Sequence, residues 1–419
     1  MRRYVETLLE RSGNARLTVT LDWPELYSST LDMSVDEDTV ASIFDALRVN
    51  SNRIRVFNFI VSAHIDNETI LRKLKTSYSS LEHLNFSFHY GGLVEELEEI
   101  DLDFFSDVSA LHSLSYQCHT GWKVRSHFPW HQLNRLVMQD VNAGEFLPIL
   151  TGCNNLRELE LSDVNANLEE EVDAEHHILV PNLQLLGIST SDDDDLSSII
   201  QHLTVPKLQS IKIRGLWNSS GSDPEDKFWT LASVRSLLTR SRCPVGSLEL
   251  QWVVLLHHDT VALLDLMPGL RSIKIVEAYG LDQPIEDRQN YIVTPSFLRR
   301  LSSEPRTCGT SSSSFLPKLK NLTLFVHQND LDETSLVHAI ASRWGGRGHM
   351  SNTTSGTDEP YSEFLQSVEI RLLTFDEGPG SLGGLPMLEC FKDAGLRVTL
   401  GNCTWYHLLR RVIGRSLLD

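Results

Sequence analysis

Hydrophobic residues recur along the chain in the spacing L-x-x-L-x-L, with polar residues between them. In residues 153–164, CNNLRELELSDV, the leucines Leu156, Leu159 and Leu161 are separated by charged and polar positions. Alternation of this kind predicts a strand with one buried face. The phrase begins again at Ile54, Leu81, Leu111, Leu133, Leu183, Leu208, Val245, Leu270, Leu319 and Leu365. Shorter alternations over Leu17–Leu21 and Leu396–Leu400 predict a terminal strand at each end.

The segments between these strands have helical spacing instead. Residues 39–49, 193–203 and 332–344 each place apolar residues on one side of a helix. Successive phrases begin mostly 22 to 30 residues apart, close to the period of about 20–29 residues that is typical of leucine-rich repeats. The pattern therefore predicts an α/β fold, a curved leucine-rich-repeat solenoid with parallel strands on its concave face and helices on its convex face.

This solenoid is expected over residues 15–405, between an N-terminal cap or linker at 1–14 and a C-terminal cap at 406–419. Three stretches rich in Ser, Gly, Thr and Pro interrupt the period and are interpreted as loop insertions. They lie near 218–227, 302–314 and 345–360.

The leucines supply the core, so functional side chains are expected at the positions between them, which point outward. On the expected concave face these positions are Asn58, Asn85, Ser87, Gln117, Gln139, Glu160, Ser162, Lys212, Arg214, Glu249, Gln251, Trp252, Lys274, Thr323 and Arg371. Lys212, Arg214, Arg271 and Lys274 form a basic band, near which Glu249, Trp217 and Trp252 lie. Because Trp and Arg are enriched at interface hot spots, these seven residues are the candidate partner-binding site, fitted to an acidic or phosphorylated peptide. The alternative is that the cations are ordinary solvated surface residues.

Charge and targeting signals narrow the choice of partners. The 419 residues carry a formal charge of −19, which disfavours general binding to nucleic acid or to an anionic membrane. No secretory signal or membrane-spanning run is recognisable, and the six dispersed cysteines are interpreted as reduced, buried thiols. We therefore expect a cytoplasmic or nuclear protein.

Motifs that carry catalytic chemistry are weak. Gly378, Gly380 and Gly383 match G-x-G-x-x-G, but the neighbouring Asp376 and Glu377 would oppose a pyrophosphate, so a repeat loop is the preferred interpretation. The groups EVDAEHH at 171–177 and HHDT at 257–260 lack a third ligand at metal spacing and are interpreted as solvated loops. The sequence thus predicts no catalytic residue, no cofactor and no metal site, and hence a protein that is not an enzyme.

Three segments carry a resemblance to a known family. Residues 3–22, RYVETLLERSGNARLTVTLD, together with 146–164, FLPILTGCNNLRELELSDV, and 391–400, FKDAGLRVTL, resemble the leucine-rich-repeat region of fungal F-box proteins. In that family an F-box of three helices docks on the Skp-type adaptor of a cullin-RING ubiquitin ligase, and the repeats hold the substrate.

The resemblance implies that this chain is the substrate-recognition part of such a receptor, binding a protein on its concave face. The F-box opening L-P-x-E-[IVL]-L-x-x-[IV] is not matched here, so adaptor binding is assigned to no residue and is expected only if an F-box lies upstream. The alternative is a free-standing leucine-rich-repeat scaffold that is unrelated to ubiquitin ligation.

Overall fold

The structure is a computed structural model in which the chain divides into two compact units. One comprises residues 1–190 and 194–207, and the other comprises residues 191–193 and 208–419. The structure describes residues 2–22, 37–62, 76–89, 107–118, 128–139, 142–164, 177–191, 193–216, 229, 231–253, 255–277, 292–302, 315–327, 331–344, 364–374 and 386–404.

The first unit is built on seven parallel strands in the order β1-β2-β3-β4-β5-β6-β8. These strands are β1 (Leu17–Asp22), β2 (Ile54–Ser62), β3 (His83–His89), β4 (Ser113–Cys118), β5 (Arg135–Gln139), β6 (Glu158–Ser162) and β8 (Leu185–Thr190). A short parallel pair joins β7 (Ile178–Leu179) to β9 (Leu203–Thr204). The helices are α1 (Arg2–Arg11), α2 (Glu37–Val49), α3 (Ala143–Gly152) and α4 (Asp193–Ile200), with 3-10 turns at Ser51–Arg53 and Trp130–Gln132.

The second unit repeats the same plan with six parallel strands that pair in sequence order. They are β10 (Ser210–Gly215), β11 (Ser247–Gln251), β12 (Ser272–Val276), β13 (Asn321–His327), β14 (Ser367–Thr374) and β15 (Arg397–Thr404). Between each two successive strands, the described residues include one helix: α5 (Ala232–Ser241), α6 (His257–Asp265), α7 (Pro295–Leu301), α8 (Glu333–Arg343) and α9 (Pro386–Asp393). Strands that run parallel need such a crossover, so the alternation of helix and strand follows from the sheet type.

The leucines of the repeated phrase form the core, as the sequence predicts. Leu156 and Leu159 have no exposed surface and Leu161 keeps only 1%. The corresponding residues of β13, Leu319, Leu322 and Leu324, are equally buried. At the two ends of the strand series, by contrast, the apolar residues of β1 and β15 are only half-buried. The predicted parallel α/β architecture is confirmed at this level.

A turn of fixed geometry precedes most of the strands. The N–H of the first apolar residue of the phrase donates to the carbonyl three residues earlier, over 2.9 to 3.4 Å, and that earlier residue is also buried. The residues whose carbonyls accept this bond are Tyr78, Val108, Trp130, Cys153, Val180, Met267 and Leu316. The repeated phrase is therefore longer than the sequence pattern indicates, since it begins with this additional core residue.

Backbone hydrogen bonds also join successive repeats just before the strands. One backbone carbonyl in each of eight repeats accepts two N–H groups from the next repeat, at 2.7 to 3.2 Å. These carbonyls belong to Glu82, His112, Asn134, Arg157, Gln209, Gly246, Arg271 and Lys320. The side chains of these residues thus occupy equivalent positions in successive repeats. This row lies at the edge of the sheet where the strands begin.

The predicted helices and cysteines have mixed outcomes. Helices over 39–49, 193–203 and 332–344 are confirmed as α2, α4 and α8, although Leu203 belongs to β9. Cys153 is buried, and burial raises the pKa of its thiol to about 12, whereas Cys390 is exposed, so the expectation of buried thiols is wrong there. The glycine motif 378–383, the insertions 218–227 and 345–360, most of 302–314 and the cap 406–419 lie outside the described residues.

Candidate functional site

In the second unit, the strand residues that alternate with the leucine positions form three rows, which we call the polar face; in the third row, Gln251 and Val276 are themselves buried. The first row is small and neutral over most of its length: Ser210, Ser247, Ser272, Asn321, Ser367 and Arg397. The second row is charged: Lys212, Glu249, Lys274, Thr323, Glu369 and Thr399. The third row is mixed: Arg214, Gln251, Val276, Phe325, Arg371 and Gly401. Straight register between parallel strands places each row's members side by side.

Glu249 lies at the centre of the charged row, between two lysines in register. Its Oε1 accepts a hydrogen bond of 2.5 Å from Lys274 Nζ and another from Gln251 Nε2. Burial raises the pKa of Glu249, but the hydrogen bond and charge of Lys274 outweigh that effect and, with Gln251 and Lys212, hold the pKa below its ordinary value. Glu249 is therefore ionised at neutral pH and neutralises Lys274.

Lys212 stands in a different environment from Lys274. Its side chain is half-buried, and it forms no ion pair or hydrogen bond with the residues that the structure describes. Its charge acts on Glu249 through space only. Among the described residues, the ammonium of Lys212 therefore has no hydrogen-bond acceptor, whereas that of Lys274 donates one hydrogen bond to Glu249.

The third row combines cations with aromatic rings. Arg214 donates from Nε to Gln251 Oε1 at 3.1 Å, and its guanidinium carbon lies 5.9 Å from the centre of the Trp252 ring. Lys274 Nζ lies 5.9 Å from the centre of the Phe325 ring. Such cation–π contacts attract the cationic groups to the ring faces and so help to hold these side chains in place. Trp252 itself is only 8% exposed, and its φ of 55° places it in left-handed backbone just beyond β11.

One residue of the predicted site lies outside the polar face. Arg271 precedes β12, is exposed, and belongs to the row of residues whose carbonyls link successive repeats. It therefore lies at the edge of the sheet and outside the three rows of the polar face. Trp217 lies outside the described part of the chain.

The polar face also contains charged and aromatic residues that the sequence interpretation left out. Glu369 follows Thr323 in the charged row, and its Oε1 accepts a hydrogen bond of 3.0 Å from Arg371 Nε. Phe325 lies between Val276 and Arg371 in the third row. The signal was available, because each occupies the same place in its strand phrase as Lys212 or Arg214. With these residues counted, the face has five cations and two carboxylates.

The outward positions of the first unit are mainly neutral amides and hydroxyls. Asn58 Nδ2 donates to Thr20 Oγ1 at 3.1 Å, and Ser87 Oγ donates to Gln117 Oε1 at 3.0 Å. Further along the unit, Arg135 contacts Glu158 and Glu160 at 3.4 and 3.5 Å.

The histidine-rich segment 257–260 was interpreted as a solvated loop, and this is wrong. His257 and His258 form the first turn of α6, where Asp259 lies 3.4 Å from the His258 ring nitrogen. Most of the second segment, 171–177, lies outside the described residues.

Parallel strands, intervening helices and one recurring strand phrase define the chain as an α/β protein with repeated structural elements. A comparison of the chain with protein-family models and with curated proteins finds no match. Among the helices that the structure describes, none has both the length and the apolar character needed to cross a bilayer.

Proposed function

We propose that the chain is a leucine-rich-repeat module that binds another protein on the polar face of its second unit. The observation that carries this proposal is the charged row, in which Lys212 keeps its hydrogen-bond donors while Glu249 and Lys274 neutralise each other. A row fixed by strand register offers preorganised side chains, which reduces the entropy cost of association. No catalytic group is needed for this role, and none is proposed.

The partner that fits this face best is an acidic or phosphorylated segment. The polar face contains five cations and two carboxylates, so its net charge is positive. The whole chain, by contrast, carries a charge of −19. Carboxylates or phosphates of the partner would take the donors of Lys212. Glu249 would repel an acidic group placed over Lys274, so it would fix the position at which the partner's acidic group sits.

We further propose that the bound partner is a substrate of a cullin-RING ubiquitin ligase, with the chain acting as the recognition part of an F-box-type receptor. The support is the resemblance of 3–22, 146–164 and 391–400 to the repeat region of fungal F-box proteins. Binding to a Skp-type adaptor would be contributed by an upstream F-box, and it would take place in the cytoplasm or nucleus.

A charge-reversal experiment tests the protein-binding proposal. Proteins recovered on the immobilised wild-type chain are compared with those recovered on Lys212→Glu and on Lys318→Glu. Lys318 is an exposed lysine in the turn before β13, away from the polar face, so its reversal changes the net charge equally. We expect partners to be lost with Lys212→Glu and kept with Lys318→Glu; equal recovery on all three would contradict the proposed face.

The ubiquitin role is tested separately in cells of the source organism. If it holds, depletion of the gene product should lengthen the half-life of the partner lost with Lys212→Glu, and proteasome inhibition should abolish that difference. An unchanged half-life, with partner binding intact, would favour the free-standing scaffold.

A further inference from the structure

Two histidines and a carboxylate come together at the edge of the sheet where β3 and β4 begin. Each of Glu82, His83 and His112 offers one ligand atom, and these three atoms all lie within 4.8 Å of one another. The two imidazole rings meet edge to face, with centres 4.7 Å apart. All three side chains are half-buried and therefore accessible to an ion from solvent.

The backbone holds these three residues in place. The carbonyl of Glu82 accepts the N–H of His112 at 3.1 Å and that of Ser113 at 3.2 Å, and the N–H of Glu82 donates to Arg55 at 2.8 Å. His83 is in register with Ser113 on the neighbouring strand. Because Glu82 and His112 occupy the same position in successive repeats, the architecture itself brings their side chains to the same edge.

The arginines beside Glu82 orient its carboxylate but do not occupy all of its lone-pair sites. Arg55 Nε donates to Oε2 at 2.6 Å and Arg16 Nη1 donates to Oε1 at 3.1 Å. A carboxylate has about four lone-pair sites, so each oxygen retains one, and ligating carboxylates commonly accept such outer hydrogen bonds.

We infer that Glu82, His83 and His112 form a binding site for a divalent transition-metal ion of the zinc type. Imidazole and carboxylate ligands at about 2.0–2.2 Å suit Zn²⁺, and a tetrahedron of that size separates its ligand atoms by about 3.4 Å. Rotation of the three side chains about their χ angles would bring the ligand atoms from within 4.8 Å to that separation, because the backbone already holds the three residues side by side. Three protein ligands leave a fourth position open for water or for a group of a bound partner.

Calorimetric titration of the full chain with Zn²⁺ tests this site. We expect saturable binding of one equivalent, weakened at least about ten-fold by His83→Gln together with His112→Gln, since even loss of outer-shell partners costs that much. The matched control is His257→Gln together with His258→Gln, which removes two adjacent histidines beside Asp259 at the start of α6. This control should bind Zn²⁺ like the wild type.

A second readout separates loss of binding from loss of folding. Bound Zn²⁺ should raise the melting temperature of the wild type and of the α6 control, because a ligand that binds only the folded state stabilises it. It should not raise that of His112→Gln, whose circular dichroism without metal should match the wild type. Equal Zn²⁺ affinity of the two double variants, or absence of one-equivalent binding in the wild type, would overturn the assignment.

Discussion

At the residue scale, a close approach between two stretches of backbone determines which residue can end β10. Gly215 ends β10, and a Cβ placed there would lie 2.2 Å from the backbone oxygen of Trp252. That oxygen belongs to the left-handed residue just after β11, so it cannot move as a flexible side chain could. Glycine is therefore required here by a close backbone approach.

Gly215→Ala should consequently destabilise the protein by about 1–3 kcal/mol, the usual cost of forcing extra volume into a packed position. Gly246→Ala is the matched control, because the nearest atom to a Cβ there is 3.9 Å away. Chemical denaturation followed by circular dichroism measures both. Equal free energies of unfolding for the two variants would show that the approach of Trp252 is not rigid.

Glu249 should make stability depend on pH. Its pKa is lower in the folded chain than the ordinary value, which is about 4.3 for glutamate, so its contribution is present above that value and is lost as pH falls through the folded pKa. Melting temperatures of wild type and Glu249→Gln should therefore converge as pH falls below about 4.3. The exposed Glu389 of α9 provides the comparison Glu389→Gln; if both variants follow parallel curves, Glu249 has no such role.

Arg343 illustrates how a buried cation can serve structure alone. Its guanidinium donates to the carbonyls of Leu301, Phe315 and Leu316, the last at 2.7 Å from Nη1. Burial lowers the pKa of Arg343 to about 10, so it still carries its charge at neutral pH. These carbonyls stand on both sides of residues 303–314, and one side chain thereby fastens both flanks of the predicted insertion.

Arg343→Met should therefore cost about 3 kcal/mol of stability, since buried carbonyls lose their hydrogen-bond donors. The exposed Arg299 of α7 bonds only to its own helix, and Arg299→Met should change stability by less than about 0.5 kcal/mol. Thermal or urea unfolding compares the two. A small effect at Arg343 would mean that water satisfies those carbonyls.

At the scale of the element, each strand separates a buried face from a functional one by simple alternation. In β13, Leu322 keeps 1% of its surface exposed, whereas the next residue, Thr323, is half-buried on the polar face. Neighbouring residues of one strand thus serve different purposes. The buried positions of a strand can be predicted from the sequence, because a leucine at such a position serves only to fill the core.

The pair can be tested directly by substitution. Leu322→Ala should destabilise the protein by about 2–5 kcal/mol through lost burial and the cavity left behind, while Thr323→Ala should change stability by less than about 0.5 kcal/mol. Denaturant titration gives both values. Similar losses in the two variants would contradict the assignment of the faces.

The sequence predicted less well where elements end and which additional residue, three places before the phrase, joins the core. Leu203 continues a helical spacing, yet it pairs as β9 with Ile178, because pairing to a distant segment overrides local preference. The buried residue three places before each phrase varies in type among Tyr78, Val108, Trp130 and Cys153. Their common position is visible only once the turn is seen.

At the scale of the whole molecule, the repeat explains both what was predictable and what was not. Lys212, Glu249 and Lys274 were predicted as one group because equal places in equal phrases become neighbours in a parallel sheet. The ion pair that neutralises Lys274 could not be predicted, since it depends on side-chain conformation. The cluster of Glu82, His83 and His112 was also missed, because its ligands are separated by a repeat length and form no short motif.

The net charge of the whole chain is opposite in sign to that of the polar face, which is the surface proposed to bind a partner. A chain of −19 would repel an acidic partner everywhere except at a local patch of the opposite sign. The polar face is such a patch among the described residues. Electrostatic complementarity of this kind favours specificity and correct orientation more than raw affinity.

The most direct test of the proposed binding face is site-specific photo-cross-linking. A photoreactive amino acid placed at Thr323, near the middle of the charged row, should yield discrete cross-linked products with the partner recovered on the wild-type chain. The same amino acid at Lys318, in the turn before β13, should yield none. Products of equal yield from both positions, or products from Lys318 alone, would contradict the assignment of protein binding to the polar face.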